Sequence, residues 1–400
     1  MRFNLSWTFF MSLGPLCALV AYLTVVRPSA PNRLWRRVMS VALLASSLKF
    51  TWFGIFGGNS FLPDMPQGAI IALSVVYDTV LVLAGLGVLW ALGRAAARFR
   101  RVRRTCSAPV PDMSRRRVAA GALAFVAAGI AGKGVYDGVR LPDVVEVTLD
   151  FPDLPPEFDG YRIAQISDLH VSAVARVERT AGVVRLVNGC DPDLIAITGD
   201  VVDGTVARRM VDVAPLAGLR ARDGVVGCTG NHEYYSGWDA WRVVFRDCGM
   251  RFLENERLLL RRGGGVLAII GENDPRSLDS DIGAAAASAP EGAFRILLAH
   301  RPTRLAEHAA HGVRLQLSGH THGGAVLGLD RIVALSNEGH VRGVYREHGV
   351  TLYVNAGTGQ WAGFPTRLGV SPEITLVTLR KSRQRDPAVR DSKSRISLNP

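Results

Sequence analysis

Four long apolar stretches fill the first third of the chain, and nothing in the remaining two thirds resembles them. They run over residues 5–26, 38–58, 69–92 and 118–136. Each is close to the ~20 residues that a helix needs to cross a bilayer. In lipid, the backbone must satisfy every N–H and C=O within its own segment, which leaves little choice but helix. The loop after the first stretch, RPSAPNRLWRR, carries four arginines, and the one before the fourth, RAAARFRRVRRTCSAPVPDMSRRR, carries nine. NSFLPDMPQ, between the second and third, carries none. Basic loops stay on the cytoplasmic side. The alternation predicts a multi-pass cell-membrane protein whose region 1–140 crosses four times. The N-terminus and everything after the fourth span then lie on the extracytoplasmic side. The length of the first stretch, and the spans that follow it, argue against a signal peptide. Ser114, Arg115 and Arg116 resemble a twin-arginine export signal lacking its usual Phe-Leu; a basic cluster that simply retains a loop has the same residues.

Two ionisable residues, Lys49 and Asp78, fall inside the second and third spans. A charge at that depth is costly unless it is paired, so a structural Lys49–Asp78 contact is expected. The five cysteines, at positions 17, 106, 190, 228 and 248, form no C-x-x-C pair. They point to buried thiols rather than a disulfide framework.

The formal net charge of +12 invites a nucleic-acid partner, but its distribution removes that reading. Residues 1–142 hold 17 Lys and Arg against 4 Asp and Glu, whereas residues 143–379 hold 23 against 29. The positive charge belongs to the membrane loops and to a polar tail, residues 380–400, whose composition predicts disorder. No nucleic acid is expected.

Between them, residues 141–379 read as one domain. The runs YRIAQIS, PDLIAIT, GVVGCT, VLAIIG, FRILLAH, RLQLS and TLYVNAG are short and continuously apolar, as strands buried on both faces are. ARVERTAGVVRLVNGC, RRMVDVAPLAGLRA and WDAWRVVFRDCG have helical spacing between the early ones. The expected fold is α/β, a two-sheet sandwich flanked by helices.

Polar residues cluster where these strands end, the place at which open α/β sheets gather ligands. They are Asp168 and His170 in SDLH, Asp200 in TGD, Asn231 and His232 in GNHE, His300 in LLAH, and His320 and His322 in GHTHGG. Any one of them has an ordinary explanation as a turn, a helix cap or a core histidine. Eight at five strand ends do not, because independent turns and caps would not jointly select His, Asp and Asn. Oxygen and imidazole donors without thiolate suit Mn, Fe, Zn or Co. One ion needs about four protein ligands, whereas two ions sharing a carboxylate use the set and suit in-line displacement at phosphorus.

The motif series SDLH, TGD, GNHE, AH and GHTHGG resembles the calcineurin-like metallophosphoesterases, and most closely their bacterial membrane-anchored branch. The resemblance covers about residues 161–379 and implies a two-sheet metallophosphoesterase sandwich. It also implies a first metal on Asp168, His170 and His322, a second on Asn231, His300 and His320, and a bridge through Asp200. His232 takes the role of general acid, and Glu233 that of orienting a ligand. The implied reaction is phosphoester hydrolysis by a metal-bridged hydroxide. Asp203 stands where the purple acid phosphatases carry a tyrosine, so no tyrosinate-bound ferric ion is expected. Ala325 replaces a frequent glutamine after the glycine pair. In the late segment NAGTGQWAGFPTRLG, Trp361 and Phe364 are candidates for an apolar lip, and Arg367 for a phosphate contact.

These readings converge on a membrane-anchored, two-metal phosphoesterase acting on an extracytoplasmic, lipid-linked phosphoester. The competing reading within the enzyme class is a pyrophosphatase or diesterase on a nucleotide-linked lipid precursor, which requires the opposite orientation. A non-catalytic scaffold of the same fold is a third reading, and the complete ligand set weighs against it.

Overall fold

The computed structural model describes residues 5–105, 113–287 and 289–382. Cys106 and the tail from residue 383 onward lie outside the described residues. The N-terminal region is a helical bundle. Helix α1 (Leu5–Ala21) runs on through a π-helical turn at Tyr22–Val26. Helices α2 (Arg33–Ser47) and α3 (Lys49–Gly57) follow, then α4 (Gln67–Thr105) and α5 (Met113–Val139). Among the described residues, three helices, Thr8–Ser29, Gln67–Arg100 and Met113–Val139, are long and apolar enough to cross a membrane.

The second apolar stretch departs from the expected straight span. It is broken into α2 and α3, which meet at 60°. Leu48 leaves helical geometry at the break (φ −95°, ψ 32°), and just before it the Ser47 hydroxyl donates back to Leu44 O at 2.7 Å. Such back-bonding competes with the helix ladder. Taken together, the bent pair is long and apolar enough for one further span. It begins at the far end of α1, beside the first basic loop, and emerges at Asp64, which contacts the C-terminal domain.

The Lys49–Asp78 pairing expected from the sequence does not form. Both residues are buried, but Lys49 Nζ and Asp78 Oδ1 have no hydrogen-bond partner. The ammonium lies over the rings of Tyr77, Phe50 and Phe364, at 4.5, 4.9 and 4.9 Å. These aromatic faces take the place of a counter-ion. Asp78 instead accepts from the Thr366 hydroxyl of the C-terminal domain.

That domain is a sandwich of two six-stranded mixed sheets. The first contains β1 (Asp143–Phe151), β2 (Arg162–Ile166), β3 (Leu194–Thr198), β4 (Val225–Cys228) and β5 (Met250–Phe252). The second contains β6 (Glu256–Arg262), β7 (Gly265–Gly271), β8 (Phe294–Leu298), β9 (Val313–Ser318), β10 (Gly343–Glu347) and β11 (Val350–Val354). The last strand, β12 (Glu373–Lys381), returns to the first sheet between β1 and β2. Strands β2 to β5 are parallel, as are β7, β8, β9 and β11.

Period-two alternation builds the core. Leu194 and Ala196 face the second sheet, where they pack with Ile269, Ile296 and Leu317. Ile195 and Ile197 face outward and are covered by Val183 of α6 (Val177–Gly189) and by Trp241 and Phe245 of α9 (Trp238–Asp247). Between these two helices lie α7 (Val206–Val213) and α8 (Asn231–Ser236). With both faces covered, β3 is buried at all five positions, as parallel strands require.

The sandwich rests directly on the bundle. Arg209 reaches Asp64 at 2.5 Å, Gln67 Nε2 donates to Val174 O at 2.8 Å, and Arg367 N donates to Gly134 O at 2.9 Å. Gly138 is required at this contact, since a Cβ there would run into the Pro365 carbonyl. These contacts come from the loop before α4, the start of α4 and the C-terminal part of α5. Cys17, Cys190, Cys228 and Cys248 are free, and only Cys228 is fully buried.

Candidate metal centre

Three parallel strands from each sheet end at one place. Asp168 follows β2, Asp200 follows β3 and Asn231 follows β4 from the first sheet. His300 follows β8, His320 and His322 follow β9, and Gly357 follows β11 from the second. The turns carrying the polar residues are strained. Asp168, His170, Asp200, His320 and His322 all hold positive φ, between 46° and 71°. Non-glycine residues avoid this region, and such strain concentrates at functional sites where the surroundings enforce it.

Three overlapping groups of ligand-type atoms result. In the first, His322 Nε2 lies 3.5 Å from Asp168 Oδ1 and 3.1 Å from His170 Nε2. In the second, His300 Nε2 lies 3.2 Å from Asp200 Oδ2 and 3.2 Å from His320 Nδ1. The Asp200 carboxylate stands between them, with Oδ2 3.8 Å from His170 Nε2. Asp168, His170 and His322 form one set compact enough to hold a metal ion, and Asp200, His300 and His320 form another. Asn231, nearly buried, opens onto the same cleft. Burial, followed by the neighbouring His170 and His300 charges respectively, pushes His322 and His320 well below the ordinary imidazole value. Both are therefore neutral near pH 7, the form that binds metal. Burial opposes a charge on His300, but Asp200 outweighs it and raises the group to about 10. The donor set thus fits two divalent cations, whose identity it does not select.

Surrounding groups fix the ligands. Glu233, fully buried in the first turn of α8, accepts from the backbone N–H groups of Gly230, Asp200 and Val201 at 2.7, 2.9 and 2.7 Å. One carboxylate therefore ties the TGD turn to the GNHE turn. His300 Nδ1 bonds Thr198 O at 2.7 Å, and Ser167 Oγ donates to Asp168 Oδ2 at 2.6 Å. His232 forms a third compact set with His170 and Asp200, its Nε2 4.0 Å from Asp200 Oδ2. Its Nδ1 is 2.6 Å from Asp203 Oδ1, and its backbone N–H donates to Asp200 Oδ1 at 2.8 Å.

Arg367 sits elsewhere than the sequence suggested. It is fully buried, donating to the carbonyls of Gly359 and Gly357 at 2.7 and 3.1 Å, and one guanidinium nitrogen lies 3.3 Å from His322 Nδ1. It backs a histidine and does not reach the cleft. Asp203, noted in the sequence only for not being a tyrosine, proves to contact two histidines. Arg301 was missed altogether. Asp274 holds its guanidinium at 2.7 Å, with its other nitrogens 3.5 Å from His320 Nε2 and from Asn231 Oδ1. Its one local signal was adjacency to His300.

The cleft above these residues has a volume of about 200 Å³ and is lined by Asp200, Asn231, His232, His320 and His322 on one side. Phe10, Gln360, Trp361 and Phe364 line the other.

Residues 161–324 match the family model of the calcineurin-like phosphoesterases. A transmembrane protein with a metallophosphoesterase domain from Danio rerio is 29% identical over 372 residues, covering 89% of this chain and 82% of the relative. Its counterpart in Bos taurus is also 29% identical, over 379 residues, covering 88% and 82%. The metallophosphoesterase YkuE of Bacillus subtilis is 31% identical over 283 residues, covering 68% of this chain and 99% of the relative. The vertebrate relatives overturn a specifically bacterial branch, since the fusion of membrane region and catalytic domain occurs across phyla. The chain belongs to the calcineurin-like phosphoesterases, as a multi-pass membrane-anchored metallophosphoesterase whose clustered histidines and aspartates suit a dinuclear metal site acting on phosphoester bonds.

Proposed function

We propose that the chain hydrolyses a membrane-proximal phosphoester on the extracytoplasmic side. In this reading residues 1–140 form the membrane region and residues 141–379 the catalytic unit. The observation that carries it is the pair of ligand groups meeting at Asp200, with the His232–Asp203 pair beside them in one cleft.

Asp168, His170 and His322 would hold one metal and Asn231, His300 and His320 the other, with Asp200 placed to serve both. When bound, the two ions supply the Lewis acidity that activates water and offsets charge on the phosphoryl oxygens. His232, held by Asp203, presents its Nε2 to the cleft and donates a proton to the departing oxygen as the P–O bond breaks and the water oxygen joins phosphorus. Arg301, anchored by Asp274, adds positive charge beside the second ligand group. Glu233 and Arg367 act as positioning residues, the first through the Asp200 and Asn231 turns, the second through His322. The orientation rests on the distribution of arginines between the apolar stretches of the sequence. The net negative charge of residues 143–379 speaks against a nucleic-acid substrate.

The test is hydrolysis of p-nitrophenyl phosphate and bis(p-nitrophenyl) phosphate by the full chain in detergent, supplied in turn with Mn, Fe and Zn. Turnover of at least one ester that requires metal is expected. Asp200→Asn is expected to abolish it, and a wild-type rate in that variant would exclude the assignment. A reporter fused after residue 382, active only outside the cytoplasm, tests the orientation.

A further inference from the structure

One wall of the cleft is built by the membrane region. Phe10 lies in the first turns of the span Thr8–Ser29, yet it lines the same cavity as Asp200, His232 and His322. Its ring meets Trp361 of the catalytic domain edge-on at 5.6 Å, and Trp361 stacks on Phe61, from the loop between α3 and α4, at 5.8 Å. Phe364 completes the wall, and Gln360 is its one polar member. The aromatic surface does not stop at the cleft. Phe10 contacts Phe9 at 5.5 Å, and Phe9, 59% exposed, opens the outer face of α1 that continues through Leu16 and Leu19. A chain of apolar contacts therefore leads from the cleft to the exposed face of a helix apolar enough to cross a membrane, and aromatic side chains favour the membrane–water interface.

A phosphoester that arrived from water would need no such path. We infer that the cleft takes an amphiphilic phosphoester bearing a hydrocarbon chain. Its phosphate lies on the His and Asp cluster, and its chain runs along Trp361, Phe364 and Phe10 into the bilayer. This rests on the phosphoesterase reading and adds a substrate class and a chain-binding subsite to it. It also gives the bundle a role beyond anchoring, because α1 supplies part of the active-site wall.

The experiment uses the full chain in neutral detergent micelles with Mn, and two p-nitrophenyl alkyl phosphodiesters, ethyl and octyl. Both have the same reacting phosphorus and leaving group. Apolar burial of the longer chain is expected to raise kcat/KM by about 10-fold or more for the octyl ester. Phe10→Ala and Phe364→Ala are each expected to lower the octyl-to-ethyl ratio at least ~3-fold. Phe125→Ala, at an 82% exposed position on α5, keeps the wild-type ratio and controls for partition into the micelle. Equal efficiency on the two esters overturns the inference and leaves the phosphoesterase reading standing. A ratio unchanged in both cleft variants, or lowered equally by Phe125→Ala, does the same. Hydrolysis of neither diester by a chain that turns over p-nitrophenyl phosphate overturns this inference alone, whereas turnover of no p-nitrophenyl ester overturns the phosphoesterase reading and this inference with it.

Discussion

Asp203 Oδ1 lies 2.6 Å from His232 Nδ1, and the same carboxylate is 3.2 Å from His170 Nδ1. One buried acid thus orients both the proposed proton donor and a proposed metal ligand. Burial opposes ionisation of Asp203, but His170 and His232 outweigh it and hold the carboxyl well below the usual range. A permanent negative charge therefore sits behind each imidazole.

The charge has a consequence for pH dependence. Burial lowers His232, but Asp200 and Asp203 more than reverse this and raise it to about 9. A general acid works in its protonated form, so activity should fall as pH rises through the His232 value. Cations held at Asp200 offset part of the charge that raises it, which places the limb of the metal-loaded enzyme below that of the bare site. Asp203→Asn removes a charge that favours the imidazolium, so the alkaline limb should move down toward the ordinary value of about 6.5. A kcat–pH profile at saturating metal measures this. An unmoved limb would show that Asp203 does not set the proton donor. His232→Ala should lower kcat about 10²- to 10⁴-fold on an alkyl ester, whose leaving group needs the proton.

Metal stoichiometry separates the two ligand groups. The wild-type chain should bind about two divalent ions, since one compact donor set contains Asp200 and the other approaches it through His170. His322→Ala removes a donor from the first set alone and should leave about one tightly held ion. Asp200→Asn should weaken both sites. Elemental analysis after dialysis reads these outcomes. Chelation should lower Tm, and re-addition of metal should restore it, because an ion that binds only the folded state stabilises it by mass action. A wild-type stoichiometry of one would sink the two-metal reading.

Glu233 offers a test of ligand positioning. Three backbone N–H groups point at its two oxygens, so Glu233→Gln must turn an amide NH₂ toward at least one of them. The TGD and GNHE turns should separate and metal affinity fall about 10- to 100-fold. Titration calorimetry with Mn or Zn measures the change. Affinity equal to wild type would reduce Glu233 to a cap of α8.

Much of the metal centre was legible in the sequence because its donors follow buried strands directly. IAQISD, IAITGD and LQLSGH each carry an apolar run into the residue that turns toward the site, and the parallel sheets bring those ends together. What could not be read depends on contacts between distant segments. Trp361 meets Phe10 across 351 positions, with no local pattern to announce it. Lys49 and Asp78 looked like partners because the bilayer argument considers only the membrane, whereas Phe364 and Thr366 of the catalytic domain engage them instead. Arg367 looked like a phosphate contact because its segment resembles a loop that flanks the site in the family; in fact that loop is pinned between bundle and sandwich.

That pinning gives the last prediction. On α5, Gly134 and Gly138 are one helical turn apart and face the segment 365–368. A Cβ at Gly134 would lie 3.0 Å from side-chain atoms of Leu368 and Thr366, and one at Gly138 would collide with the Pro365 carbonyl. The next residues along carry Arg367 behind His322. Gly138→Val should push this loop off the helix and let the Arg367 guanidinium drift from Gly357, Gly359 and His322. Activity and metal affinity should then fall together, by about 10-fold or more, in a chain that still inserts into the membrane. Gly132→Val, on the same helix with nothing within 4 Å of the new Cβ, carries the same cost of a β-branched residue without touching the loop. Turnover and Mn titration of the two variants side by side give the result. Equal behaviour would mean that the bundle anchors the enzyme without shaping its metal centre; a loss confined to Gly138→Val would tie the membrane helices to the chemistry.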